Sequence, residues 1–453
     1  SDLTDEIIFS DGSNKNEVPT TKKGVDTTIR HKFNSKFTGR LNLQIIDAQI
    51  SQGENAVSIG SSSGNANQGN SAVAIGIQAG QATQGESTVA IGNLAGQTQQ
   101  RSGAVAVGIQ AGQNRQGTNS VAIGNLAGSN TQGSAAVGIG FGAGLNNQGV
   151  NTVAIGGVAG QVNQGANAVA VGISSGQNTQ GQNAVAIGSN SGQTNQGSAA
   201  IAIGVFAGQT GQGINAVAIG SLAGQSGQGQ VAIAIGQEAG EISQQTGAIA
   251  IGLFAGSNRQ QTGAVAIGSA AGQNTQGGNA VAVGNGAGQN IQGIQAISVG
   301  YLAGGNSQGM NAVAIGFASG NSLQGQNAVA IGNVAGQTNQ GTQAIAIGFR
   351  AGQGTQGLGA VAIGQIAGQS VQGNNAVAIG FDAGSSAQGN NAVAIGRGAA
   401  SVSQQPVATA VGNYAGQFNQ GFGSVAVGHF SGNQTQGTYA VAIGRESGYT
   451  NQG

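Results

Sequence analysis

The sequence predicts an all-β protein, a parallel β-solenoid of 25 regular 16-residue coils. Three observations predict it. Residues 54–453 are 400 residues, which divide into 25 rows of 16 with no insertion or deletion, consensus xNAVAIGxxAGQxxQG. Fixed self-similarity over so short a period marks a stacked array. Within each row the AVAIG segment alternates large and small with period two, as a strand does. Each row also carries several of the chain's 89 glycines, and each would cost about 1 kcal/mol inside a helix, so helical repeats are excluded.

Composition narrows the class further. Aromatic residues are 4% and charged residues 6% of the chain, against roughly 25% charged in an ordinary soluble domain. Net charge is zero, which leaves no electrostatic handle for nucleic acid or an anionic membrane. The 38% hydrophobic content argues against low-complexity disorder. Cysteine is absent, so disulfides and thiolate metal sites are excluded. No apolar run approaches the roughly 18 residues of a membrane span. The start, SDLTDEIIFS, lacks the basic-then-apolar layout of a secretory leader; a secreted form would have lost its leader before Ser1.

Residues 1–37 read as a separate, charged capping or assembly segment. Residues 1–50 hold 14 of the 26 charged side chains. EIIFS at 6–10 and TTIRHKF at 27–33 alternate as strands, and DGSN at 11–14 reads as a turn. An open first coil is an exposed sheet edge. The expectation is that this segment caps it, or adds to the far edge of another subunit head to tail through Ile7, Ile8, Phe9, Ile29 and Phe33. The solenoid is assigned to residues 38–453. It opens with a degenerate coil at 38–53, where Leu41, Leu43 and Gln52 keep the register, and continues as regular coils over 54–453.

Within a coil, the larger residues Val57, Ile59, Val73 and Ile75 are expected to face inward as aliphatic ladders. Ala56, Ala72 and Ala74 are then expected to face outward, as a small-residue stripe through which chains associate; the alternative is a monomer whose Ala face is its inner wall. A third small ladder runs through Ser63, Ala79 and Ala95. Gln68 and Gln84 begin a column that is Gln in all 25 rows, read as an amide ladder bonded from coil to coil at about 4.8 Å. The Gly that follows this Gln is replaced by Arg101, Gln245, Gln261 and Gln405. In the first three of those rows a Gly appears two residues later, suggesting that the left-handed residue has moved there. Pro406 and Thr409 mark a candidate kink. Twenty-five coils at about 4.8 Å each would stack to a rod on the order of 120 Å.

Rows such as NAVAIGSNSGQTNQG at 183–197 and NSVAIGNLAGSNTQG at 119–133 resemble the head repeats of YadA-type trimeric autotransporter adhesins. Similar repeats occur in viral fibre-like proteins. The resemblance covers residues 54–453. It implies a left-handed parallel β-roll, a homotrimer, an extracellular, cell-surface or virion-surface place, and binding to host or matrix surfaces. The family's coiled-coil stalk and membrane-anchor barrel have no counterpart in this sequence.

The chemistry of catalysis is sparse. The two histidines, His31 and His429, lie nearly 400 residues apart, and no carboxylate pair recurs at the coil spacing. GIGFGAG at 138–144 mimics a phosphate-binding loop but lacks the following Lys-Ser/Thr. A single sequon stands at Asn433. Phe141, Phe206, Phe254, Phe317, Phe349 and Phe381 are candidates for outward partner contacts. These observations point away from an enzyme and from any cofactor. The expected function is a structural subunit of an extracellular fibre or filament that associates with itself. A surface adhesin or virion fibre is the alternative. An ice-binding protein is a minor one, since Thr is too scattered for an outward ladder.

Overall fold

A computed structural model of the chain describes residues 53–452. The expectations for residues 1–37, including Ile7, Ile8, Phe9, Ile29 and Phe33, lie outside the described residues, as does all but Gly53 of the degenerate coil. The described residues divide into two compact units, 53–131 and 132–452. Both are parallel β-solenoids with no helix among the described residues, and together they make about 24 turns at ~16-residue spacing.

One coil of the second unit shows how the sequence forms the turn. The strand Val329–Ile331 is followed by a tight corner. A short second strand, Thr338–Gln340, comes next, and a second corner then leads to Ile345–Ile347 in the coil above. The strands stack in exact repeat register, Val329 on Ile345 and Ala330 on Ala346. Backbone bonds clamp the coils: Val329 N donates to Ala344 O at 2.8 Å and Gly341 N to Gln356 O at 2.7 Å. The first unit repeats the plan, with Val89–Ile91 stacked on Val105 to Val107 and Thr98–Gln100 as its second strand.

The alternation of the strand is as the sequence predicts, but its faces are reversed. Ala72 and Ala74 are fully buried, whereas Val57 is 42% and Ile59 58% exposed; Val73 and Ile75 are half-buried and Ala56 is partly covered. The interior is lined by three columns of small residues, chiefly alanine and serine, and one glutamine column, as at Ala328, Ala330, Ala335 and Gln340. The reason is width. Two three-residue strands joined by tight corners enclose a channel already crossed by the long amide of Gln340, leaving room for small side chains; a β-branched one enters at Thr88 and Thr152, where its hydroxyl bonds the corner carbonyl of Gly85 or Gly149. The small-residue stripe is therefore core and cannot be a surface between chains. Ser63, Ala79 and Ala95 do sit in the buried corner.

Gln68 and Gln84 are buried, like their repeats. Gln340 shows why the column never varies. Its Nε2 lies 2.7 Å from Val329 O across the coil, 3.3 Å from Ala344 O at the corner and 3.1 Å from Gln356 Oε1 in the next coil. One amide thus ties the first strand to the second corner and its own coil to the next; at Gln292 the step upward passes through Ser298 Oγ instead. Asn is a methylene too short for that reach, and Glu has no donor when ionised. A second, partly buried glutamine column runs alongside with its bonds reversed. In the inner column Gln180 Nε2 donates forward to Gln196, while in the second column Gln193 Nε2 donates back to Gln177.

Three glycines per coil are set by this packing. Gly332, at φ 131°, would place a Cβ 2.5 Å from the carbonyl oxygen of Gly348 in the next coil. Gly336, at φ 50°, would place a Cβ 2.8 Å from the Gln340 amide carbon. Gly341 is not left-handed; a Cβ there would come 2.6 Å from the carbonyl of Gly357 in the next coil. This corrects the reading of the four replaced glycines. The residue two further on is left-handed whether Gly or Asn, at Gly103 (φ 69°) and Asn119 (φ 55°) alike, so nothing has moved. The ladder bond from the replaced position is kept, at 3.1 Å for Arg101 and Gln261 and at 2.9 Å for Gln245 and Gln405, the last two as long as that of Gly277. Pro406 makes no kink. Thr409–Val411 keeps its register on Val393 to Ile395, and at the equivalent position of other coils the backbone N–H bonds side chains, as Leu358 N does Asn374 Oδ1. A proline there breaks no ladder bond.

Candidate interaction surface

With the alanines inside, each first strand presents its Val and Ile outward. The residue two beyond the Ile continues the same face, as Ile77 follows Ile75 and Phe349 follows Ile347. The result is a surface of three columns. Two are aliphatic almost throughout, and the third varies. In the third column Phe141, Phe317, Phe349 and Phe381 are exposed, as are Ile77, Ile109 and Ile173. Phe206 and Phe254 belong to the next position, which is left-handed at φ 57°, and are half-buried. No ionisable side chain falls in the Val or Ile columns.

Rings on neighbouring coils meet at the coil spacing. Tyr301 and Phe317 stack with centroids 5.3 Å apart and planes 13° from parallel, and Tyr414 and Phe430 do so at 5.2 Å. The Arg397 guanidinium lies 5.7 Å from both the Phe381 and Tyr414 rings, a cation–π arrangement. His429 sits edge-on to Phe430 at 4.3 Å. An aromatic and cationic patch therefore forms on the coils from 381 to 449.

The remaining sequence candidates are absorbed by the fold. The backbone N–H of Gly144, in the phosphate-loop mimic, is bonded to Ala159 O at 2.9 Å, and that of Ala143 to Gly140 O. Those two donors are not free to cradle an anion. Asn433 of the sequon is 2% exposed. Its Nδ2 is bonded to Tyr414 O at 3.1 Å and Gln417 Oε1 at 3.0 Å, so the folded coil withholds it from glycosylation. Among the described residues no group of three or more His, Cys, Asp or Glu side chains is placed to hold a metal ion, and no helix is long and apolar enough to cross a membrane.

The sequence pattern identified the correct strand and the correct alternation but assigned the association surface to the wrong side. The invariance of Gln was the available signal: a long side chain that must lie inside leaves no space for Val and Ile beside it. No protein-family model matches the chain, and no curated protein matches it.

Proposed function

We propose that the chain is a structural subunit of an extracellular fibre and associates laterally with copies of itself through the outward Val and Ile columns. The observation that carries this reading is the continuity of that surface. Two partly exposed aliphatic side chains per coil come to on the order of 100 Å², or roughly 2,000 Å² over the coils of residues 132–452. A standard stable interface needs roughly 800 Å² from each partner. A surface with a strict 16-residue period is best matched by a partner of the same period, and another copy of the chain has it. The resemblance of the repeats to adhesin head repeats supports an extracellular or surface location.

Analytical ultracentrifugation tests the reading. The native chain should sediment as an oligomer. A variant with Ile315, Ile331 and Ile347 each changed to Ser should dissociate at least tenfold more readily with an unchanged circular dichroism spectrum. A native chain that remains monomeric at micromolar concentration would sink the proposal. A second reading, a surface adhesin, is favoured by the aromatic and cationic patch around Arg397, Tyr414 and His429. Loss of surface binding on Arg397→Ala and Tyr414→Ala, with assembly intact, would select it.

A further inference from the structure

The third column of the outward face is not random. In residues 141–221 a large apolar residue occupies every second coil: Phe141, Ile173 and Val205 alternate with Gly157, Ser189 and Ser221. The first unit alternates likewise, Ile77 and Ile109 with Asn93 and Asn125. Further along the second unit the phase has slipped by one coil, and Phe317, Phe349 and Phe381 alternate with Asn333 and Gln365. Large residues two coils apart stand about 9.6 Å from one another, leaving a slot about one side chain wide. Tyr301 and Phe317 show the contrast: on adjacent coils they stack at 5.3 Å and leave no slot.

Knobs and slots imply a partner that interdigitates, and the symmetry of the face restricts which. Two such faces can meet about a two-fold axis in two ways. An axis along the stacking direction keeps the copies parallel and sets the variable column against the partner's valine column. An axis along the strands runs the copies antiparallel and sets each column against its own copy. Only the second arrangement brings knobs and slots together.

The geometry points to this antiparallel pair, formed by residues 132–452 of two copies about a two-fold axis through Ser269. The inference rests on the lateral association proposed above and specifies its partner and register. Under that axis, positions whose numbers sum to twice 269 face each other. Phe349 then falls on Ser189, Phe381 on Gly157, Phe317 on Ser221 and Leu253 on Asn285. Each of the eight pairs between 141 and 397 sets one large apolar residue against one small or polar residue. The phase slip is what permits this for an axis that passes through a coil. In an unbroken alternation, reversal about any coil returns knobs to knobs. A slip of one coil exchanges the phases of the two halves, so knobs meet slots.

The absence of cysteine from the sequence makes the test direct. Ser189→Cys, Ser221→Cys and Ser269→Cys are made singly, each oligomer is oxidised, and disulfide-linked dimers are quantified alongside sedimentation. A disulfide needs Cα atoms within roughly 7 Å. Ser269 meets its own copy at the axis, whereas the two copies of Ser189 would stand ten coils, about 48 Å, apart. The expected result is self-linking at Ser269→Cys at least tenfold above the other two, and linking of Ser189→Cys to Phe349→Cys when those chains are mixed. Equal self-linking at all three sites means a parallel assembly whose axis runs along the variable column itself, and overturns the inference while leaving lateral association standing. An oligomer that links at none of them does the same. A monomer by sedimentation removes both.

Discussion

The two faces of a single strand obey different rules. On the inner face of Val329–Ile331 stands Ala330, fully buried above and below other alanines, with Gln340 beside it. On the outer face stand Val329 and Ile331, large, apolar and partly in water. Among the apolar side chains size and burial are here inversely related, the opposite of an ordinary sandwich, where the bulky residues fill the core. The difference teaches that this interior is governed by hydrogen-bond reach and clearance rather than by apolar volume. An inner residue must tolerate its own copy one coil away. An outer residue stacks on its counterpart too, but its bulk can extend into the open space above the face.

Substitutions should separate the two faces sharply. The largest effect is expected at Gln340→Glu. It removes the donor to Val329 O and Ala344 O and buries a carboxylate, which should cost about 3–5 kcal/mol near neutral pH. Burial disfavours the ionised form and raises the carboxyl pKa above its unfolded value of about 4.3. The penalty therefore applies in full above the raised pKa and shrinks as pH falls toward 4. Urea unfolding at pH 7 and pH 4 would check this, and an equal loss at both would break the account. Ala330→Val comes next, about 1–3 kcal/mol from overpacking, read by faster hydrogen exchange at the Val329 and Gly341 amides. Gly336→Ala should cost about 1–2 kcal/mol, from its left-handed backbone and the Gln340 amide beneath it. Ile331→Thr should be smallest, within about 0.5 kcal/mol in a dissociated chain. An outer substitution that unfolds the monomer as severely as Ala330→Val would erase the distinction between faces.

Much of this was legible in the residues. The unbroken period of 16 gives the coil, the AVAIG segment its first strand, and the invariant glutamine its ladder. What the pattern could not decide was which parity faces in, because period two is symmetric between the faces. The usual guide, that Val and Ile are buried, failed because a coil of two three-residue strands has no room for them once Gln340 crosses it. The glycine after that glutamine was misread for a related reason. Sequence shows that a position favours Gly but not whether the cause is backbone angle or, as at Gly341, an approaching carbonyl. The alternation of Phe349 with Asn333 and Gln365 was open to inspection, yet it acquires meaning only when the column is known to face outward.

The two glutamine columns, whose bonds run in opposite senses at Gln180 to Gln196 and Gln193 to Gln177, carry a consequence for length. Amide dipoles aligned head to tail add, as they do along a helix, leaving partial charges at the ends. Here one file of side-chain dipoles points up the stack and its neighbour points down. Over 161–225, where both files are glutamine, the opposed dipoles offset one another. Beside Glu241 and Ser257 the second file is broken while the inner one runs on from Gln244 to Gln276, so its polarisation there is unopposed and grows with each such coil.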